Sequence, residues 1–181
     1  MLLGALTLTS PSRAESMPVP AAAQAELIAK LVAFDRNFAA RAAGKAVIVI
    51  AAMAGDAESM SAALEMKAAF SRLPTVGNIP HEEVIVTYSN AAALAQTVRA
   101  KRAALVYLGP GFDKQISAIR DALSSLNVLS VAAIPGYVPA GIVLGFDLVS
   151  GRPKLLIQVV QARKQNVAFP ASVLSLMKVY P

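Results

Sequence analysis

Hydrophobic positions along this chain follow a repeating strand-and-helix rhythm that changes near the C-terminus. Residues 22–43 place Leu27, Leu31, Phe34 and Phe38 at three- and four-residue spacing, which predicts a helix that Gly44 ends. KAVIVIAAM, from Lys45, is a β-branched run of the type buried on both faces, hence a central parallel strand. AGDAES then opens a helix, with Asp56 as its N-cap, that runs to about Leu73. TVGNIP reads as a loop, EEVIVTY as a second strand, and Ser89-Asn90 as the cap of a helix through Arg102. AALVYLG is a third strand, PGFDKQISAIRDALSS its loop and helix, and VLSVAA a fourth strand. Successive strand–loop–helix units argue for parallel strands joined by right-handed crossovers.

Towards the end the period shortens. GIVLGFDLV, SGR and PKLLIQVV read as an antiparallel hairpin, with Gly151 suited to its turn. A last helix is predicted from Ser172 to about Val179. The expected fold class is α/β, a three-layer sandwich whose mostly parallel sheet is closed by a C-terminal antiparallel hairpin.

Composition refines this picture in three places. A length of 181 residues suits one domain with a real core. Residues 122–146 carry no charge and are long enough to span a bilayer. Pro135, Gly136, Pro139, Gly141 and Gly145 interrupt them, however, and Ser124, Ser125, Asn127 and Ser130 are polar, so buried strands around a Pro-Gly turn explain them better. No membrane insertion of the mature chain is expected. At the N-terminus, Leu2 to Thr9 is apolar and Ser12-Arg13-Ala14 fits the small-x-small rule of signal peptidase. The expected organisation is a signal peptide over residues 1–14, a linker over 15–21 and a single domain over 22–181, exported across the inner membrane to the periplasm. The absence of cysteine excludes disulfides, thiol catalysis, thiolate metal sites and a lipid-anchored lipoprotein.

Lys and Arg exceed Asp and Glu by 17 to 11, for a net charge of +6. That balance favours acidic surfaces: an acidic protein, anionic lipid or nucleic acid. No basic run exceeds three residues and aromatics make up only 6%, so a nucleic-acid partner is not expected.

Sites in such sheets gather at the carboxyl ends of the parallel strands. Here these ends are Met53–Ser59, Tyr88–Asn90 and Leu108–Asp113, each opening a helix whose free N–H groups suit an anion. The candidate ligand residues are therefore Gly55, Asp56, Ser89, Asn90, Gly109 and Gly111. Gly109-Pro110-Gly111 lacks both the lysine of a P-loop and the GxGxxG spacing of a dinucleotide fold, and tight turns use glycine anyway. The single histidine, in His81-Glu82-Glu83, has no second His or Cys and reads as a solvated loop entering a strand. Asp35, Asp56, Asp113, Asp121 and Asp147 are scattered, and no serine sits in a GxSxG elbow, so neither an enzyme, a metal nor a cofactor is expected. Basic residues do group. Arg99, Lys101 and Arg102 end one helix, where cations complement its dipole. Arg152 and Lys154 flank the hairpin turn, with Arg163 and Lys164 soon after, and the two pairs could form one partner-binding patch with the hairpin tip.

The closing segment, from Gly141 to Tyr180, resembles that of the YfiR-like periplasmic proteins. Gly141, Ile142, Gly145 and Phe146 stand for that family's apolar glycine-bearing strand. Ile157, Val160, Ala162, Arg163 and Val167 stand for its middle, and Ala171, Ser172, Leu174, Leu176 and Lys178 for its small-and-Ser end. The order and length of the upstream elements are similar too. The chain departs from the pattern at Gln158-Val159, where the family has an Asn-Leu pair, in lacking a Trp-Pro after the first helix, and in lacking the cysteines of some members. The resemblance implies a non-enzymatic regulator that binds the outer part of an inner-membrane signalling protein, typically a diguanylate cyclase, or a sensor kinase, and represses it. The terminal hairpin would then finish the sheet and present an edge for that partner or for a second copy in a homodimer. The competing class is a small-molecule or anion-binding module resembling one lobe of a periplasmic substrate-binding protein.

Overall fold

The structure, a computed structural model, describes residues 17–181; the expected signal peptide over residues 1–14 lies outside them. The strands are β1 (Ala46–Met53), β2 (His81–Tyr88), β3 (Leu105–Leu108), β4 (Leu129–Ala132), β5 (Leu144–Val149), β6 (Arg152–Gln158) and β7 (Lys178–Tyr180). They form one seven-stranded sheet in the order β2-β1-β3-β4-β5-β6-β7. Strands β1 to β5 run parallel, β6 turns back against β5, and β7 lies parallel to β6. The helices are α1 (Ala21–Leu31), α2 (Phe38–Ala42), α3 (Ala57–Ser71), α4 (Ala91–Ala100), α5 (Ile116–Leu123), α6 (Val159–Lys164) and α7 (Ala171–Leu174).

The crossover from β1 to β2 goes one way along the sheet, and the next two go the other way. With right-handed connections, α3 must then cover one face and α4 and α5 the opposite face. The packing agrees: α1 joins α3, and α4 joins α5. Both faces are thus covered, which is why β3 and β4 are buried along their whole length. The expected three-layer α/β sandwich is the fold observed.

The first helix differs from its prediction. It ends at Leu31, Val32–Phe34 tighten into a 3₁₀ turn, and Asp35 is extended at φ −75°, ψ 113°. Phe34, which helical spacing places on the core face, is 56% exposed, while Phe38 starts α2 and is buried. The cause is the Asp35 carboxylate. It accepts hydrogen bonds from Asn37 N (3.1 Å), Ala168 N (2.9 Å) and Arg41 Nη1 (2.8 Å), and those partners cannot be reached from a continuous helix. Arg41 also donates to Asn127 Oδ1 (3.1 Å) and to the Asn166 carbonyl (2.8 Å). The result is a buried ionic knot at the amino edge of the sheet, with the two side chains only 1% and 0% exposed.

The C-terminus differs as well. The second hairpin strand stops at Gln158, whose side chain accepts from Gln161 N (2.8 Å) and so caps α6. The predicted helix from Ser172 to Val179 shrinks to α7, and residues beyond the buried Met177 become β7. Lys178 to Tyr180 pair with Leu156 to Gln158. Lys154 Nζ donates to Leu176 O (2.9 Å) and Gln158 Nε2 to Pro181 O (2.6 Å), fastening the new strand. The unpaired edge of β6 offered a template that outweighed weak local helix preference.

Candidate functional site

The register of the sheet carries the expected site residues to one edge. Met53 pairs with Tyr88 and Ala51 with Leu108, so β1, β2 and β3 end nearly level. Because the crossovers diverge from β1 and β3, the loops after these strands flank the topological switch point, where ligands settle in doubly wound sheets. Gly55 and Asp56 follow β1, Ser89 and Asn90 follow β2, and Gly109 and Gly111 follow β3.

Their polar groups are largely spent on the fold itself. Asp56 Oδ1 accepts from Ser59 N (2.9 Å), and Ser59 Oγ accepts from Met53 N (2.9 Å), closing the turn from β1 into α3. Asn90 Oδ1 accepts from Ala93 N (2.8 Å) and caps α4, and Ser89 beside it is exposed. A Cβ on Gly109 would meet only ordinary contacts, the nearest at 3.8 Å. Gly111 is different. Its φ is +92°, and a Cβ there would lie 2.7 Å from Asp56 Oδ2, so glycine lets the β3 loop close against the β1 loop.

The switch point is then filled by aromatic side chains. Phe112 is fully buried and meets Tyr88 edge-on, with ring centroids 5.2 Å apart. Tyr137 is buried too; its hydroxyl accepts from Phe112 N (3.0 Å) and donates to Asp113 Oδ2 (3.2 Å). Tyr88 Oη donates to Gln115 Oε1 at 3.4 Å, and burial pushes its phenol above the ordinary tyrosine range. Sequence reading passed over these aromatics; the signal was Phe112 and Tyr137, each following or closing a Pro-Gly pair at a strand end. A neighbouring cavity of about 230 Å³ takes Pro110 as one wall, with Glu58 and Glu65 as others. Those carboxylates oppose an anion at this edge.

His81 does not sit in a solvated loop. It is the first residue of β2, and its side chain is 6% exposed. Its Nδ1 lies 2.5 Å from Glu83 Oε1 and its Nε2 3.0 Å from Leu73 O, while Ser71 Oγ donates to Glu83 Oε2 (2.9 Å). The imidazole therefore clamps the end of α3 to the start of β2. Among the described residues no group of three or more His, Asp or Glu side chains is placed to hold a metal ion.

The basic candidates separate into two places. Arg152 follows a tight turn in which Ser150 (φ 50°) and Gly151 (φ 74°) are both left-handed, the geometry of a type I′ hairpin. Lys154 pairs with Asp147 across the hairpin. Arg163 and Lys164 lie on α6, at the other end of β6, which at about 3.3 Å per residue puts them roughly 20 Å away. They do not join the hairpin-tip pair in one patch. What does lie with that pair is apolar: Leu148, Val149 and Leu176 are 45%, 52% and 67% exposed, and the Leu176 carbonyl accepts from Lys154 Nζ.

A profile described as YfiR/HmsC-like matches residues 22–178 of the chain. No curated protein matches the sequence. Solved structures with the same fold include a conserved domain protein from Vibrio cholerae O1 biovar El Tor, 14% identical with a TM-score of 0.63 over 88% of this chain and 60% of that one. A domain from Streptococcus pneumoniae in complex with L-Trp aligns over 89% of this chain and 62% of its own, at 15% identity and a TM-score of 0.60. A ligand-free, open substrate-binding protein with adhesive properties from Clostridium difficile aligns over 86% and 57%, at 10% identity and a TM-score of 0.62. This chain thus spans about three fifths of the length of each of these structures.

Proposed function

The chain belongs to the YfiR/HmsC-like family, and from that premise we propose that it is a non-enzymatic periplasmic regulator. Its partner is the periplasmic part of an inner-membrane signalling protein, a diguanylate cyclase or a sensor kinase. The family match across residues 22–178 carries this reading. Two features support it. Phe112 and Tyr137 occupy the position where an enzyme of this topology would place its substrate. At the hairpin tip, exposed Leu148, Val149 and Leu176 lie beside Arg152 and Lys154, a mixture suited to an interface with a charged rim. Regulation by such a surface requires only that it bind one state of the partner better than the other, shifting the population.

The test is capture of partners from solubilised membranes of the native host by the tagged protein, identified by mass spectrometry and repeated with Arg152→Glu/Lys154→Glu. The wild type should retain a membrane cyclase or kinase. The double variant should lose it while remaining folded by circular dichroism, with a modest loss of thermal stability because Lys154→Glu gives up the bond to Leu176 O and faces Asp147 across the hairpin. Retention by both would remove the tip from consideration.

A second reading, binding of a small molecule, is favoured by one observation. A cavity of about 660 Å³ beside α1 is lined by Ala29, Ala33, Phe34 and Leu73, with Glu26 and Lys30 at its polar side. This is within the size range of small-molecule sites. Stabilisation of the isolated protein by a metabolite, abolished by Ala33→Trp, would favour that reading over partner binding.

A further inference from the structure

The amino edge of the sheet holds a second concavity of a different character. A cavity of about 210 Å³ opens where the end of α4, the start of β3 and the turn before β4 meet. Its polar lining is Arg41, Arg99, Arg102 and Asn127, against an apolar wall of Val98 and Leu126. Arg41 is the fixed member, buried and held by Asp35, Asn127 and the Asn166 carbonyl. Those three bonds leave two of its five guanidinium N–H groups. Asn127 Oδ1 accepts from both Arg41 Nε and Asn166 Nδ2 (3.2 Å), so the donor end of its amide is the end left for a ligand.

Arg99 and Arg102 differ from Arg41 in one decisive respect. Asp35 neutralises Arg41, but among the described residues neither Arg99 nor Arg102 has a carboxylate within ion-pair distance. Two positive charges are therefore left over at the cavity. Complementing the helix dipole does not account for them fully. The last carbonyls of α4 already accept backbone bonds: Thr97 O from Lys101 N, Arg99 O from Arg102 N, and Val98 O from Ala103 N. Arg102 moreover sits at φ +50°, the position after a helix that glycine or asparagine fills at least cost.

We propose that this cavity binds a phosphate-class oxyanion, with Arg41 and Asn127 as its rigid wall and Arg99 and Arg102 as its charged clamps. Guanidinium groups match such oxyanions through paired N–H donors, and the two uncompensated charges suit a dianion. The anion could be free phosphate or the phosphate of a lipid headgroup.

The test uses the full chain and its Arg99→Gln/Arg102→Gly variant. Substitution of Arg102 by glycine also relieves the left-handed backbone, so the variant should fold; circular dichroism checks this. Lys67→Gln/Lys114→Gln, exposed and outside the cavity, removes the same charge as a control. Calorimetric titration with inorganic phosphate, in chloride of matched ionic strength, should show binding by the wild type and control. The Arg99/Arg102 variant should bind about a hundredfold more weakly, at roughly tenfold per charged hydrogen-bonding arginine. In a second arm, vesicles containing phosphatidylglycerol are compared with phosphatidylcholine alone. Binding to the anionic vesicles that the Arg99/Arg102 variant loses, without binding of free phosphate, assigns the same site to a lipid phosphate. No binding in either arm, or equal binding by the variant, overturns the proposal.

Discussion

Replacing Asp35 by alanine should destabilise the protein more than most single changes. The substitution strands the Arg41 guanidinium, whose side chain is 1% exposed, without its counter-charge. Removing one partner of a buried pair costs about 3–5 kcal/mol. Two further donors, Asn37 N and Ala168 N, lose their acceptor, but the space vacated lets water approach all three. The expected loss is therefore in the lower part of the range, about 3–4 kcal/mol. Against a typical stability of about 5–15 kcal/mol that is a large share. At about 2–4 °C per kcal/mol for a chain of this size, the melting temperature should fall by roughly 6–16 °C. Urea denaturation followed by circular dichroism measures the loss. Arg41→Met should also destabilise, and the double variant Asp35→Ala/Arg41→Met should lose less than the two singles summed, because no charge is then left buried and unpaired. A loss below about 1 kcal/mol for Asp35→Ala with an unchanged denaturant slope, or strict additivity in the double variant, would refute the reasoning.

Gly111→Ala combines a φ of +92° with a Cβ placed 2.7 Å from Asp56 Oδ2. It should cost about 1–3 kcal/mol in urea denaturation, and less when introduced into Asp56→Ala, whose own cost from the lost α3 cap is measured separately; full additivity would show that the two loops do not press together. Glu82 should titrate below the usual glutamate range, because the hydrogen bond and charge of Lys45 favour its ionised form. A folded-state value below the unfolded one means that this stabilisation is present above the unfolded pKa and lost as pH falls through the folded pKa. Since both side chains are largely exposed, the readout is side-chain NMR rather than stability. Lys45→Gln should return Glu82 to a higher value, and an unmoved titration would contradict the pairing.

Where the pattern of apolar residues repeated, it was a good guide to this fold. The β-branched runs at Val47–Ile50 and Val84–Val86, and the hairpin around Gly151, form the strands expected. Reading failed where a distant polar partner decided the backbone. Nothing local to Asp35 shows that its carboxylate will meet Arg41 and the Ala168 amide, so Leu27, Leu31, Phe34 and Phe38 read as one uninterrupted face. Likewise Lys178–Tyr180 become a strand only because β6 has an unfilled side. At the carboxyl edge, the positions of Gly55, Asp56, Ser89, Asn90, Gly109 and Gly111 were legible from strand order alone. That Phe112 and Tyr137 would fold inward among them was not, because glycine and proline mark a loop without saying where its neighbouring rings will point.

The knot around Asp35 also bears on when the molecule can finish folding. Its bonds from Asp35, Asn37 and Arg41 to residues 166–168 span 125 to 133 positions in the chain. Contacts of such long range close late, because the loop between their ends must be ordered first. Until then Asp35 and Arg41 remain hydrated, and β1 can collapse against α3 without them. The complete knot thus marks completion: only chains that reach residue 168 can add the Ala168 amide and the Asn166 carbonyl to Asp35 and Arg41, and a product ending earlier lacks both partners.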